Sequence, residues 1–290
     1  MELDVTTLRT ILSQAKQRLR DASIQTYAID AELLMIYSLN YQGREELLLQ
    51  LSNDTSLTSI QQIVFEENVQ RRIAREPISQ ILGTKHFYLS KFKVTSHVLT
   101  PRPETELMID SILQTFPDRS YPYDFLDLGT GSGCIAITLA MLYPQASVTG
   151  LDISVEALCT ARENAKSNNV HVRFLESNWC DQLEKDEVYD AILSNPPYIP
   201  YKDWVGLEAD VKEYEPSIAL TDFEDGLTHY QTIAKQTYDF LKPGGFLLFE
   251  IGIEQASAVC DITTSFGYEL YQKHLDLNNI ERCLIFQKKS

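Results

Sequence analysis

Asp124-Phe125-Leu126-Asp127-Leu128-Gly129-Thr130-Gly131-Ser132-Gly133-Cys134 is the stretch whose reading decides the fold. Asp124 to Leu128 reads as a short apolar strand, the glycines as a tight loop, and Ile135 to Leu142 as a helix. Glycine lets the backbone turn sharply and lets a ligand come close to it. A dinucleotide fingerprint, Gly-x-Gly-x-x-Gly, needs its third glycine at position 134, where this chain has Cys134. The observed Gly-x-Gly-x-Gly instead suits a loop around the methionine end of S-adenosylmethionine. An ordinary strand-to-helix turn is the plainer alternative.

Downstream, strand and helix alternate. Ser147 to Leu151 reads as a second strand and Val155 to Ala165 as a second helix. Further strands are expected at Val172 to Leu175, Tyr189 to Leu193 and Phe246 to Ile251. Strands separated by helices of this length imply right-handed crossovers and a mostly parallel, doubly wound α/β sheet. Asp152 ends the second strand, 23 residues after Gly129. A carboxylate there can accept both hydroxyls of a ribose, a placement shared with nicotinamide enzymes. Ser154 can cap the next helix. Trp179, after the third strand, sits where it can pack on adenine, with Asn178 offering an oxygen to the exocyclic amine. A partly buried surface tryptophan fits equally well.

Asn195-Pro196-Pro197-Tyr198 ends the next strand, on the edge where open α/β sheets bind ligands. Two prolines stiffen the backbone and donate no hydrogen bonds, leaving the Asn195 and Pro196 carbonyls free. A carboxamide or aromatic-amine nitrogen is a poor nucleophile because its lone pair is delocalised. The Asn195 side-chain oxygen and the Pro196 carbonyl can each accept one hydrogen bond from such an NH₂, aiming its lone pair at an activated methyl. Tyr198 can stack on the planar group. A rigid turn with Tyr198 as packing is the alternative. Asn195, Pro196 and Tyr198 are thus the candidate catalytic residues, and Pro197 joins them in binding substrate.

Upstream, Leu8, Ile11, Leu12, Ala15 and Leu19 follow helical spacing, and Ile29 to Leu39 and Ile60 to Ile73 repeat it. Residues from about Val5 to Arg75 therefore read as helical, broken by a polar turn from Asn53 to Ser59. Glu76-Pro77 closes the run. Phe87-Tyr88-Leu89 and Phe92-Lys93-Val94 suggest a hairpin, followed by an extended Thr100-Pro101-Arg102-Pro103 segment and a helix from about Thr105.

The 290 residues suffice for one α/β core plus a smaller module, and 44% are hydrophobic. No run approaches a membrane span, and Met1-Glu2-Leu3-Asp4 lacks the basic and apolar regions of a signal peptide. Five scattered cysteines without a Cys-x-x-Cys pair suit reduced thiols and a cytoplasmic, metal-free protein. The net charge is −16, and from Asp181 to Asp225 there are thirteen Asp/Glu against three Lys. That balance disfavours direct nucleic-acid binding. It serves either solubility or docking of a basic partner.

The glycine loop, Asp152 and Asn195 to Tyr198 together resemble class I N-methyltransferases acting on planar nitrogens. The fuller pattern resembles the release factor glutamine methyltransferases (the HemK/PrmC type). It is carried by EPISQILG (76–83), VLTPRPETE (98–106), DLGTGSG (127–133), SNPPYI (194–199), EPSIAL (215–220), DGLTHYQTI (225–233) and FEIGIEQ (249–255). The resemblance implies a Rossmann-like, seven-stranded sheet with a small N-terminal helical domain. It implies a substrate-binding domain over 1–75, a hairpin linker over 76–104 and an S-adenosylmethionine-dependent methyltransferase domain over 105–290. The implied reaction is N5-methylation of the glutamine in the Gly-Gly-Gln motif of class-1 peptide chain release factors, without a metal and away from membranes. Cofactor contacts carry over to Gly129, Thr130, Gly131, Ser132, Gly133, Asp152, Trp179 and Asn195. Substrate contacts carry over to Asn195, Pro196, Pro197 and Tyr198. Many relatives have aspartate where this chain has Asn178. The PRPETE segment is expected to cover the methionine end of the cofactor, with Arg102 or Glu106 as anchors.

Three other readings compete. An adenine-N6 methyltransferase on DNA or RNA uses the same four-residue chemistry, but the acidic balance opposes it. A non-catalytic binding protein of this fold would be free to lose Asn195, Tyr198 and Asp152. Methylation of a free small molecule leaves the helical module without a task.

Overall fold

Alternating apolar residues in the second half of the chain build a sheet buried on both faces. The computed structural model describes residues 7–53 and 55–289. Val5 and Thr6, where the first helix was expected to begin, and Asp54 of the polar turn lie outside them. The chain divides into two compact units, 1–83 and 84–290.

The first unit is helical: α1 (Leu8–Asp21), α2 (Tyr27–Leu39), α3 (Arg44–Ser52), α4 (Ser59–Ile73) and α5 (Ile78–Leu82). Thr58 opens α4 with a reciprocal cap, its side chain taking the Gln61 N–H while the Gln61 side chain takes the Thr58 N–H. Leu8, Leu12, Leu19, Leu34, Met35, Phe65 and Val69 form the core. Asp30 and Arg72 are buried together at 2.8 Å, and the Thr26 hydroxyl satisfies Asp30 further. Sequence periodicity did not separate α3, because its apolar residues run together as Leu47-Leu48-Leu49 and only Leu47 is buried.

The second unit opens with a hairpin, β1 (Thr84–Phe87) and β2 (Ser90–Lys93), then α6 (Glu106–Thr115). The hairpin is displaced from its expected place. Tyr88 and Leu89 form its two-residue turn, because Tyr88 takes a left-handed backbone (φ 51°) and donates its N–H to Glu106. The sheet strands and helices follow: β3 (Asp124–Leu128), α7 (Cys134–Leu142), β4 (Ser147–Asp152), α8 (Val155–Ser167), β5 (Arg173–Glu176) and β6 (Tyr189–Ser194). Two single turns, α9 (Tyr201–Trp204) and α10 (Ala209–Lys212), precede α11 (Thr228–Thr237), β7 (Leu241–Glu250), α12 (Ala256–Ser265), β8 (Tyr268–Leu275) and β9 (Glu281–Lys288).

The strand order is β5-β4-β3-β6-β7-β9-β8. The first five strands are parallel, and β9 alone runs against them, pairing antiparallel with β7 on one side and β8 on the other, giving the seven-stranded, mostly parallel sheet of the class I methyltransferase fold. Phe125, Leu193, Leu248 and Ile285 face one core, while Leu126, Ile192, Leu247, Phe249 and Phe286 face the other. Successive residues thus point to opposite sides and both sides are covered. Strand order reverses between β4 and β6 at β3, which opens a crevice beyond the carboxyl ends of these strands. Among the described residues no helix is long and apolar enough to cross a membrane.

Candidate active site

Register places the site. Leu128 pairs with Leu151 of β4 on one side and with Ser194 of β6 on the other. Ser194 in turn pairs with Phe249 of β7. Gly129, Asp152, Asn195 and Glu250, each the next residue, therefore reach the same edge of the sheet side by side.

The glycine loop is held by its own side chains and backbone. Gly129, Gly131 and Gly133 all have positive φ (71°, 56° and 81°), which a side chain would strain. The Thr130 hydroxyl donates to Asp127 at 2.6 Å, and the Ala136 N–H reaches the same oxygen at 3.2 Å. Burial pushes the Asp127 carboxyl up to about 7, against the lowering effect of these bonds. Asn164 on α8 donates to the Ser132 carbonyl and the Lys93 carbonyl, and accepts the Lys93 N–H at 2.7 Å. One buried amide thus ties the loop to the hairpin.

Asp152 accepts the Gly131 N–H at 2.8 Å on one oxygen and the Ser154 N–H at 2.9 Å on the other. A carboxylate has about four lone-pair sites, so each oxygen keeps one for a further hydroxyl. Burial raises its pKa, and the backbone N–H bonds pull the other way. Ser154 also caps α8 through the Ala157 N–H.

A cleft runs along this edge. Gly129, Gly131, Asp152, Asn178, Trp179, Asn195 and Pro197 line it. Thr130 and Ser132 are buried, and Gly133 caps α7. Pro196 and Tyr198 are not part of its wall. His97, Val98 and Leu99 border it from the segment before the first proline, and His229 from α11. The Trp179 and His229 rings lie 5.1 Å apart at 60°, and burial lowers the His229 pKa. A side chain at Gly129 would meet the Trp179 ring at 3.6 Å. Asn178 is exposed and donates weakly to Asp181 at 3.4 Å, leaving its oxygen free.

Around Asn195 the distant motifs converge. Its amide nitrogen lies 3.2 Å from the Thr105 hydroxyl, which donates to Glu250 at 2.5 Å. The Tyr198 hydroxyl is 3.5 Å from the other Glu250 oxygen. Burial pushes the Glu250 carboxyl up to about 7, with Glu104 adding to the rise and Thr105, Arg282 and a hydrogen bond from the Asn195 side chain opposing it. Burial also drives the Tyr198 phenol well above its ordinary value. Gln255 donates to the carbonyls of Tyr198 and Gly226, and accepts from the Gly252 N–H. Among the described residues no backbone N–H donates to the Pro196 carbonyl.

PRPETE is also placed. Arg102 pairs with the buried Glu215, and Glu106 accepts the Tyr88 N–H at 2.8 Å. Both expected anchors are structural, and Thr105 between them is the residue that touches Asn195. Periodicity and motif chemistry did not single out Thr105, Glu250, Gln255, Asn164 or His229. The signal available was the company they keep, because four of the five lie inside segments that resemble the family.

The acidic stretch does not form one face. Asp190 at the start of β6 pairs with Lys242, Glu187 pairs with Arg173, Glu215 with Arg102, and Asp222 accepts N–H groups of its own loop. Asp203, Glu208, Glu213, Glu224 and Asp225 stay exposed on the segment after the four-residue motif. Among the described residues no group of His, Cys, Asp and Glu could hold a metal ion.

Both parts of the chain resemble known protein families. The PrmC N-terminal domain family matches residues 10–83, and the Methyltransferase small domain family matches residues 105–205. The chain is 36% identical over 281 residues to a release factor glutamine methyltransferase of Caulobacter vibrioides, covering 96% of each. The chain belongs to the release factor glutamine methyltransferase family. It is also 36% identical to a bifunctional methyltransferase of Rickettsia typhi, over 96% of this chain and 56% of that protein. It thus spans about half the length of these bifunctional members of its kin. A solved methyltransferase from Pyrococcus furiosus shares the fold, with a TM-score of 0.54 and 18% identity over 78% of this chain and 100% of that one.

Proposed function

We propose that this chain transfers a methyl group from S-adenosylmethionine to the side-chain amide nitrogen (N5) of the glutamine in the Gly-Gly-Gln motif of class-1 peptide chain release factors. The observation that carries this reading is the pairing of Leu128 with Ser194. It brings the glycine loop and Asn195 to one cleft. Family membership supports the choice of glutamine.

The cleft fits the cofactor. Gly129 and Gly131 keep its floor free of side chains, Asp152 retains two lone pairs for ribose hydroxyls, and Trp179 with His229 gives an aromatic wall for adenine. Bound there, S-adenosylmethionine supplies a methyl already activated as a sulfonium, so neither a metal nor a strong base is needed.

Asn195 and Pro196 serve as the catalytic acceptors. The Asn195 side-chain oxygen and the Pro196 carbonyl each accept a hydrogen bond from the glutamine NH₂, which orients the nitrogen and stabilises the positive charge it gains as the N–CH₃ bond forms and the S–CH₃ bond breaks; one N–H proton then leaves to solvent. Pro197 borders the cleft and the substrate. Tyr198, held by Glu250 below and Gly252 beside it, excludes water from the planar amide. Exposed Asp203, Glu208, Glu213, Glu224 and Asp225 suit a basic protein partner and repel phosphate. That charge favours a release factor over duplex DNA as substrate.

Purified protein with S-adenosylmethionine and a release factor should add the mass of one methylene to the Gly-Gly-Gln peptide and to no other. Methyl transfer to duplex DNA, with none to the release factor, would overturn the proposal.

A further inference from the structure

The direction in which the Asn195 amide faces is set by two side chains outside its motif. Thr105 lies in the turn before α6 and Glu250 at the end of β7, 145 residues apart and both almost fully buried. Their oxygens meet at 2.5 Å. A threonine hydroxyl has one proton, and Glu250 in its ionised form, above about pH 7, offers only acceptors, so there that proton goes to Glu250. The Thr105 oxygen then has only lone pairs left for Asn195, 3.2 Å away. The nitrogen end of the Asn195 amide must therefore face Thr105. A flipped amide would set its oxygen against a hydroxyl with no proton to give, at the cost of an unmade bond in a buried place.

We propose that Glu250, acting through Thr105 and through its own contact with the Asn195 side chain, is a positioning residue that holds the Asn195 oxygen toward the cleft as the acceptor for the substrate amide. The inference rests on the function assigned above. It also explains why PRPETE and EIGxxQ accompany the four-residue motif in one chain. The first supplies the hydroxyl and the second the carboxylate. Without both, Asn195 can turn its NH₂ to the substrate and present a donor to a donor.

The test uses the full chain with Thr105→Val, which keeps shape and removes the hydroxyl, and Glu250→Leu, which removes the acceptor. In protein labelled with ¹⁵N-asparagine, the Asn195 side-chain NH₂ is assigned by its loss in Asn195→Asp. We expect it to be protected from solvent exchange in the parent and unprotected in both variants. With release factor and S-adenosylmethionine, kcat should fall roughly ten- to a hundredfold, the loss from holding a reacting group about 1 Å out of place. KM should stay close to that of the parent, and Thr105→Ser should recover most of the rate. An unchanged kcat in Thr105→Val overturns the proposal, as does a loss confined to KM or a Thr105→Ser as slow as the valine variant. If the parent leaves the release factor unmethylated, the assigned function fails, and the amide-exchange readout still decides the positioning claim.

Discussion

The Gln255 side-chain nitrogen donates to the Tyr198 carbonyl oxygen at 2.9 Å, joining the start of α12 to the loop that follows β6. The same amide reaches the Gly226 carbonyl at 3.3 Å, accepts the Gly252 N–H at 2.9 Å and meets the Tyr230 hydroxyl at 3.4 Å. One side chain therefore satisfies four groups around the candidate site. Gln255→Ala should leave buried partners unmade and cost about 1–3 kcal/mol of stability for the worst of them. Urea unfolding at fixed pH measures this, and turnover should fall with it because the Tyr198 backbone is released. A midpoint equal to that of the parent would contradict the assignment.

Gly226 is next to this contact. Its φ is +82°, and a side chain there would sit 2.3 Å from the Tyr198 carbonyl oxygen. Gly226→Ala should destabilise by more than about 1 kcal/mol, since neither the backbone angle nor the space admits a methyl. Thermal unfolding should show a clear fall in Tm. Gly206, whose added methyl would find its nearest neighbour at 3.7 Å, provides the tolerant control.

Asn195→Ala should remove about 2.7–4 kcal/mol of transition-state stabilisation, the usual cost of deleting one polar catalytic contact. Single-turnover kinetics with bound cofactor gives the figure, and calorimetry gives the accompanying change in cofactor affinity. The rate loss should exceed the affinity loss. Near-normal turnover would remove Asn195 from the mechanism.

Asp152→Asn keeps the shape of the side chain but halves its acceptors. One lone-pair oxygen becomes a donor facing the Gly131 or Ser154 N–H. Cofactor affinity should fall by about 1–3 kcal/mol, since bonds to a charged acceptor are lost. Titration calorimetry decides between this and a merely structural role, for which binding would be preserved.

Glu250 gives the stability of the fold a pH dependence. Its pKa rises on folding from 4.5 to about 7 because the carboxyl is buried, with Glu104 reinforcing the shift and Arg282 opposing it; Tyr198 and Tyr230 also face it. Between those two values the folded chain holds a proton that the unfolded chain releases, so stability falls as pH rises. The penalty is absent below about 4.5 and complete above about 7, on the order of 3 kcal/mol. Denaturant unfolding of the parent against Glu250→Gln, at intervals from pH 5 to 8, should show the parent losing ground and then levelling. Parallel curves would show that Glu250 does not titrate in this window.

Most strands around the site were legible because each is a local pattern. Asp124 to Leu128 and Ser147 to Leu151 are short apolar runs between turn residues, and the structure places β3 and β4 there within one residue. β8 escaped because seven of its eight side chains point to solvent or are only half covered, which leaves no alternation to read. β7 begins five residues earlier than expected, at Leu241, since Gly244-Gly245 reads as a turn while the backbone pairs irregularly with β6 through it. The charges of Asp190 and Glu215 read as part of a solubilising or docking stretch, but each serves a partner far away in sequence, Lys242 and Arg102.

Neighbouring residues alone determined the glycine loop, the stiff Asn-Pro-Pro-Tyr corner and the alternation of strand and helix, because backbone sterics and hydrophobic period act over a few positions. Only the tertiary structure decided that Gly129 and Asn195 emerge from adjacent strands, and that Thr105 and Glu250 meet beneath Asn195. Strand order is a choice among distant pairings, and no local pattern in the chain encodes which strand lies beside which. The identity of the reacting groups was written in the sequence. Their orientation was made by the sheet.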